Sequence, residues 1–397
     1  MKSQSQASSV KPFRILAVDD ETYILDFLKE ALEFWGYEVV TAADSRSAFD
    51  IIKSGYISLL ITDIKMEESD SGIKLIENAK ALFPDLMIIV ITGSFADEKA
   101  MRLYAEQEVS FLQKPLRANE LKALVSKTVQ QHLREIELKI DIQAAKKIIE
   151  NTFPKKNPDS SRIDLFSIYR PVYDIGGDFY DFIQLSDGRH LIYLCDVEGH
   201  GIHAAIFANT IRIFLRAFAE TSTAPGEMVA RLNRAISAET RSNSMATAFF
   251  AFYDPADNSL CYVNAGHEHP VLFRAAEGSF ERLETTGTII GIFEDASYET
   301  KRTLLNEGDI LFLYTDGVCD NYNIKYQHFT IDMASAIILD NKNENSQFIG
   351  RRIISRIQQQ LGGNPQHDDL AFILLKINSG AQVAENNHHR AARASST

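Results

Sequence analysis

Hydrophobic and polar positions divide this chain into two regimes joined by a charged stretch of helical period. From residue 13, short apolar runs alternate with amphipathic segments. Strands are predicted over 13–18, 37–40, 59–62, 86–92 and 109–113. Helices are predicted over about 24–35, between the second and third strands, over 73–82 and 97–106, and from about 119. Such alternation predicts a five-stranded, doubly wound parallel sheet of the α/β class, whose ligand site lies beyond the strand carboxyl ends. Between 126 and 151 neither glycine nor proline occurs. Val129, Leu133, Ile136 and Ile140 form one apolar stripe, and Leu138, Ile142, Ala145 and Ile149 a second, both with 4-3-4 spacing. That spacing predicts one long helix, able either to form a coiled coil or to pack on its own domains, and Pro154 and Pro158 end it. Past residue 163 the pattern changes. Strand-like runs follow one another at 165–169, 190–195, 247–253, 259–264, 270–274, 309–314 and 370–377, with helical patterns only at 203–220, 226–238 and 347–361. Strands in series with few helices predict an α+β sandwich flanked by helices. The expected organisation is a leader over 1–12, a first domain over 13–125, a helical linker over 126–154, a second domain over 160–378 and a disordered tail over 379–397.

Composition narrows the functions open to such a chain. Its 397 residues suit two domains and a connector. A formal charge of −13 argues against a nucleic-acid partner. Cys195, Cys261 and Cys319 are far apart, without metal or disulfide spacing, which fits a reducing cytoplasm. The N-terminus has no signal-like apolar core and no uninterrupted apolar run is long enough to span a bilayer, so a cytoplasmic protein off the membrane is expected.

The first domain carries polar residues where its strands end. Asp19, Asp20 and Asp63 gather three carboxylates, which repel one another unless a divalent cation sits among them. Thr92 and Lys114 offer a hydroxyl and an ammonium suited to phosphoryl oxygens. Such a site can make Asp63 a nucleophile that accepts a phosphoryl group. The runs V-D-D-E, T-D-I-K-M, I-T-G and K-P, spread over about 13–125, resemble the receiver domain of two-component response regulators. The resemblance implies that Asp63 is the phosphoacceptor and that Asp20, Asp63 and the carbonyl of Lys65 hold Mg²⁺. It also implies that Asp19 is a supporting acid, that Phe111 is the aromatic switch position and that a cognate sensor histidine kinase supplies the phosphoryl group. The segment M-E-E-S-D-S-G from Met66 lacks the proline usual in that family.

In the second domain four aspartate-bearing segments lie beside apolar runs: G-G-D-F-Y-D from Gly176, L-C-D-V-E-G-H-G ending at Gly201, Y-T-D-G-V from Tyr314 and H-D-D-L from His367. All-oxygen ligands held at strand ends suit hard cations such as Mg²⁺ or Mn²⁺ and point to a two-metal hydrolysis of phosphate esters. His200 and His267 are each open to a catalytic or a structural role, and the histidine spacing gives no zinc site. With N-A-G-H from Asn264, these motifs resemble, over about 144–378, the SpoIIE-type branch of the metal-dependent type 2C protein phosphatases. Carried over by motif, the resemblance implies two Mn²⁺ or Mg²⁺ held by Asp178, a bridging Asp196, the Val197 carbonyl, Asp316 and Asp368, with Asp369 as a secondary candidate. Glu198, Ala371 and Asp320 depart from the family's frequent residues without removing a ligand. The two resemblances together imply a response regulator whose phosphorylation controls a serine/threonine phosphatase. A phosphorylated anti-sigma-factor antagonist in a partner-switching pathway is the implied substrate. A homodimer through the linker helix is expected. The other reading is a catalytically weak domain that sequesters a partner under phosphorylation control.

Overall fold

The structure is a computed structural model that describes residues 13–66, 71–93, 109–154, 162–239, 244–322 and 328–378. The leader, the tail and the helix expected over 97–106 lie outside the described residues. The chain forms two compact units, Met1–Ile140 and Asp141–Thr397.

In the first unit, strands β1 (Arg14–Val18), β2 (Glu38–Ala42), β3 (Leu59–Asp63), β4 (Met87–Thr92) and β5 (Ser110–Gln113) form a parallel sheet of order β2-β1-β3-β4-β5. The two-residue period of β1 explains its double burial. Ile15 and Ala17 face α1 (Thr22–Phe34), whereas Leu16 and Val18 face α2 (Ser45–Ser54) and α3 (Ser71–Leu82). With both faces covered, the polar residues fall at the strand ends: Asp19 and Asp20 after β1, Asp63 closing β3, Thr92 closing β4 and Lys114 after β5.

The last helix of this unit and the predicted linker are one element, α4 (Ala118–Glu150), 33 residues long. Leu121 and Val125 are buried under the sheet, while Leu133, Ile136, Leu138 and Ile140 remain exposed. Both stripes read from the sequence are therefore on a helix. No contact between two copies is described, so the coiled coil stays an expectation.

The second unit is a sandwich of two antiparallel sheets. Strands β6 (Ile163–Arg170), β11 (Val271–Arg274), β12 (Ser279–Arg282), β14 (Ile310–Tyr314) and β15 (Leu370–Ile377) form one, in the order β12-β11-β14-β15-β6. Strands β7 (Phe179–Gln184), β8 (His190–Val197), β9 (Ala246–Asp254), β10 (Ser259–Ala265) and β13 (Lys301–Leu304) form the other, in the order β13-β10-β9-β8-β7. Along β8, Tyr193 and Cys195 face α5 (Ile202–Ala219) and α6 (Pro225–Glu239), while Ile192 and Leu194 face the opposite sheet. Helices α8 (Ile331–Asp340) and α9 (Ser346–Leu361) cover the β12-β11-β14-β15-β6 sheet, and a one-turn α7 (Gly317–Asp320) follows β14. By length and hydropathy alone Ile202–Ala219 would pass for a membrane span. Here its Phe207, Ile211 and Leu215 are buried against β8 and β9, as in a core helix.

Phe372, fully buried, packs its ring against Phe166 at 5.9 Å and Phe312 at 5.4 Å between its sheet and α9. Phe372→Ala should destabilise the second unit by about 3–5 kcal/mol, because a cavity adds to the lost transfer energy. Urea unfolding followed by a probe in each unit should show the midpoint fall for the second unit alone. A cost under about 1 kcal/mol would mean that this layer is loosely packed.

Candidate functional site

At the carboxyl ends of the parallel sheet the structure brings Asp19, Asp63 and Lys114 together. Lys114 Nζ lies 2.6 Å from Asp63 Oδ2, 3.1 Å from Asp19 Oδ2 and 3.2 Å from Glu21 Oε1. Burial pulls the ammonium's pKa down, but its hydrogen bonds to Asp63 and Asp19 outweigh burial and hold it well above the usual lysine range. Asp19 is buried, and burial raises its carboxyl against the lowering effect of the Glu21 N–H and Lys114. Lys65 N donates to Asp63 Oδ1 at 3.2 Å, so the residue expected to offer a carbonyl wraps closely around the acceptor. Asp20 is exposed at the rim, Thr92 is buried beside the sheet end, and Phe111 is half-buried on β5. Glu21, missed as a site residue in the sequence, completes the lysine's cage.

In the sandwich the acidic motifs also converge. Asp178 enters β7, Asp196 lies on β8, Asp316 follows β14 and Asp368 precedes β15, so four chain segments deliver them to one end of the two sheets. By the alternation of β8 and β14, Asp196 and Thr315 lie on the inter-sheet faces. Asp196, Val197, Asp316, Asp368 and Asp369 line an open cleft of about 540 Å³ together with Val172, Tyr173, His200 and Thr247. Exposure grades outward, from buried Asp178 through half-buried Asp196 and Asp316 to exposed Asp368.

Burial and mutual repulsion dominate the electrostatics of these acids. Burial and then the charge of Asp196 push the Asp178 carboxyl well above its ordinary range. Asp196 is raised to about 7, first by burial and then by Asp316, Asp368 and Asp369, and Asp316 to about 6 by burial and Asp368. No Lys or Arg salt bridge reaches these acids among the described residues, and no three acid, His or Cys side chains stand ready-made as an ion cage. A donor set made of oxygen, repelling itself and joined by no Lys or Arg salt bridge among the described residues, fits hard divalent cations. The thiols do not compete. Burial raises Cys195 far up and Cys319 to about 12, which disfavours thiolate.

Several neighbours hold this arrangement. Thr315 Oγ1 donates to Asp178 Oδ2 at 2.7 Å and accepts from Ala371 N at 3.0 Å. Asn321, fully buried, accepts from His367 N at 2.5 Å and Asp368 N at 3.2 Å, fixing the turn that presents Asp368. Asp369 is occupied differently: Oδ1 accepts from Val172 N and Oδ2 from Gly177 N, both at 2.8 Å. It clamps the loop leading to Asp178. A side chain at Gly176 would overlap Asp369 Oδ2 and the Tyr169 hydroxyl, so only glycine admits this approach. The α4 helix reaches the same loop, since Gln143 Nε2 and Lys146 Nζ lie 2.9 and 3.2 Å from Asp174 Oδ1. Phe153, just past the helix, stacks on Tyr169 at 4.8 Å, and the Tyr169 hydroxyl accepts from Gly176 N at 2.9 Å. Sequence reading found the acids but not Asn321 or this loop clamp; Thr315 stood inside a motif without a role. His200 is exposed with its ring 4.8 Å from that of Tyr173, and His267 is buried behind the cleft.

Comparison with known proteins gives two family matches. The model of Stage II sporulation protein E (SpoIIE) matches residues 186–378, and that of the response regulator receiver domain matches residues 15–126. The first span holds Asp196, Asp316 and Asp368 but not Asp178, which joins them through the fold. Phosphoserine phosphatase RsbU of Bacillus subtilis (strain 168) is 29% identical over 184 residues, covering 46% of this chain and 55% of RsbU. The response regulator receiver protein CpdR of Brucella abortus (strain 2308) is 37% identical over 108 residues, covering 27% of this chain and 89% of CpdR. Among solved structures, the SiaA-PP2C domain of Pseudomonas aeruginosa superposes with a TM-score of 0.54 at 19% identity, over 62% of this chain and 99% of that domain, which shows the shared fold. The chain spans about half the length of the curated relatives that it matches in the second unit.

Raised carboxyl pKa values favour the protonated folded state, so their share of stability is present below about pH 4 and is lost as pH rises through the folded values of about 6 and 7. Mn²⁺ competes with those protons and should restore what deprotonation removes. The rise in melting temperature caused by Mn²⁺ should therefore be small near pH 5 and large near pH 8, and Asp196→Asn should shrink it. Calorimetry with Mn²⁺ or chelator across that range checks this. An Mn²⁺ effect independent of pH would show that these carboxylates do not take the ion.

Proposed function

Because this chain is a response regulator with a SpoIIE-type phosphatase domain following its receiver, we propose that it is a metal-dependent protein phosphatase for phosphoserine or phosphothreonine, set by phosphorylation of Asp63. The observation that carries this reading is the convergence of Asp196, Asp316 and Asp368 on one open cleft, with Asp178 buried beside Asp196 and no Lys or Arg salt bridge to them among the described residues. Two divalent cations bound there would act as Lewis acids on the phosphoryl group and supply an activated water. Asp178 and Asp196 would hold the ions from the buried side, with the Val197 carbonyl, Asp316 and Asp368 nearer the rim. The protein's own work is positional. Thr315 fixes the rotamer of Asp178, Asn321 sets the turn of Asp368, and Asp369 braces the loop of Val172 and Tyr173 at the cleft wall. An open mouth suits a phosphorylated side chain on a folded partner, and a phosphorylated anti-sigma-factor antagonist is the substrate we favour. RsbU, by its name a phosphoserine phosphatase, supports the reaction class.

In the receiver, Asp63 would take the phosphoryl group from a sensor histidine kinase, with Mg²⁺ at Asp20, Asp63 and the Lys65 carbonyl. Lys114 would meet the transferred phosphoryl oxygens, trading its carboxylate partner for a phosphoryl one. The path onward that we favour is α4, because Gln143 and Lys146 hold Asp174 in the loop that Asp369 braces. That ion pair is largely exposed and so weak, as a reversible contact requires. The helix would pair with that of a second copy through Leu133, Ile136 and Ile140 in one state.

Asp196→Asn should lower hydrolysis of p-nitrophenyl phosphate with Mn²⁺ by about 100-fold or more without unfolding the chain. Asp63→Asn should abolish labelling by acetyl phosphate and leave basal hydrolysis intact. Wild-type turnover in the first variant removes the metal assignment, and persistent labelling of the second relocates the acceptor.

Ile136→Glu combined with Ile140→Glu should reduce the oligomeric mass and erase the effect of receiver phosphorylation on turnover, while basal ester hydrolysis persists. A full phosphorylation response in that double variant would make the helix a mere tether.

A further inference from the structure

The N-A-G-H run has no part in ligand supply, yet the fold builds a turn around it. Asn264, fully buried at the end of β10, accepts from His267 N at 2.8 Å, and its own N–H donates to Thr286 Oγ1 at 3.0 Å. Gly266 has φ +68°, and a Cβ there would strike the side chain of Ile289. The turn carries the imidazole of His267 inward, where only 4% of the residue is exposed. Nδ1 lies 2.8 Å from Thr247 Oγ1, and Nε2 is buried without a completed hydrogen bond. Thr247 lines the catalytic cleft and pairs across β8 and β9 directly opposite Asp196. Directly paired residues share a sheet face with Cβ atoms about 5 Å apart.

We propose that Thr247 and His267 form a positioning pair for the phosphatase reaction, in which His267 carries its proton on Nε2 and holds the Thr247 hydroxyl as a donor to Nδ1. The lone pairs of that hydroxyl then face the cleft beside Asp196. A group so oriented accepts a hydrogen bond and cannot donate one, so it suits the attacking water and disfavours a phosphoryl oxygen. The assignment of the proton rests on the surroundings of the ring. Burial lowers the pKa of His267 to about 4, so the ring is neutral and holds a single proton. Opposing burial is the Tyr314 backbone carbonyl, an acceptor. With Nδ1 facing the Thr247 hydroxyl, which can donate to it, the single proton is assigned to Nε2. Thr247 acts on the water and His267 acts through Thr247.

The kinetic part of the test rests on the phosphatase reading, whereas the tautomer part does not. With ¹⁵N-histidine labelling of the full chain and His267→Asn to assign the resonance, His267 should show a protonated Nε2 and a bare Nδ1 near neutral pH. A proton on Nδ1 overturns the proposal. With p-nitrophenyl phosphate and Mn²⁺, Thr247→Val should lower kcat about tenfold, the scale of one neutral hydrogen bond, with KM and half-saturating Mn²⁺ unchanged. Thr247→Ser should restore most of kcat. Undiminished kcat in Thr247→Val, or a loss confined to KM or to Mn²⁺ affinity, overturns the pair. Should the valine variant not fold, Thr247→Ala takes its place. A wild-type chain that hydrolyses no ester defeats the phosphatase reading instead, and the tautomer measurement still decides the pair.

Discussion

Repulsion among carboxylates at the ends of the sandwich strands is the constraint around which the second unit is built. Asp178 and Asp196 lie close enough to share a hydrogen bond in a buried setting, which two ionised acids do not tolerate without a proton or a cation between them. Everything near them limits how far they can relax. The Thr315 hydroxyl holds Asp178, two packed sheets hold the strands, and the Asn321 amide holds the turn of Asp368. The receiver meets a similar problem with another solution, since Lys114 already stands between Asp63 and Asp19. One centre gathers acids with no lysine among them, and the other carries its lysine within the site.

The apolar pattern made much of this legible. Short apolar runs marked β1 and β8, and acids at the ends of such runs marked both sites. Elements that lack that signal were missed. β12 and β13 are edge strands of sequence S-F-E-R and K-R-T-L, whose exposed positions leave little alternation. β7 begins on the heels of Asp178, so its F-Y-D-F-I-Q reads as part of a motif before it reads as a strand. Its Asp181 is buried and paired with Arg212 and Arg216 of α5, a contact 31 and 35 positions away that no local pattern contains.

The same reasoning explains the linker. Its two stripes predict a helix correctly, because a 3.6-residue period is a local property. What each stripe touches is not local. In the first, Val129 packs on the receiver core and Leu133, Ile136 and Ile140 stay exposed, while Ile142, Ala145 and Ile149 of the second are half-buried and the intervening polar Gln143 and Lys146 make the contact with Asp174. Reading apolar stripes alone gave the polar residues no part in that contact.

Asp369 has a wider lesson in the polarity of its hydrogen bonds. Two backbone N–H groups, from Val172 and Gly177, each meet one of its oxygens. Asparagine would offer one acceptor and turn an amide N–H against the other donor, so a carboxylate is selected there by acceptor count and its charge comes as a by-product. That by-product adds to the repulsion at Asp178 and Asp196. Adjacent acids in a sequence can therefore serve opposite ends, Asp368 exposed at the cleft and Asp369 bonded to the main chain. The number of acids in a motif sets a ceiling on what an ion can be offered, and main-chain demand decides how far below that ceiling a site falls.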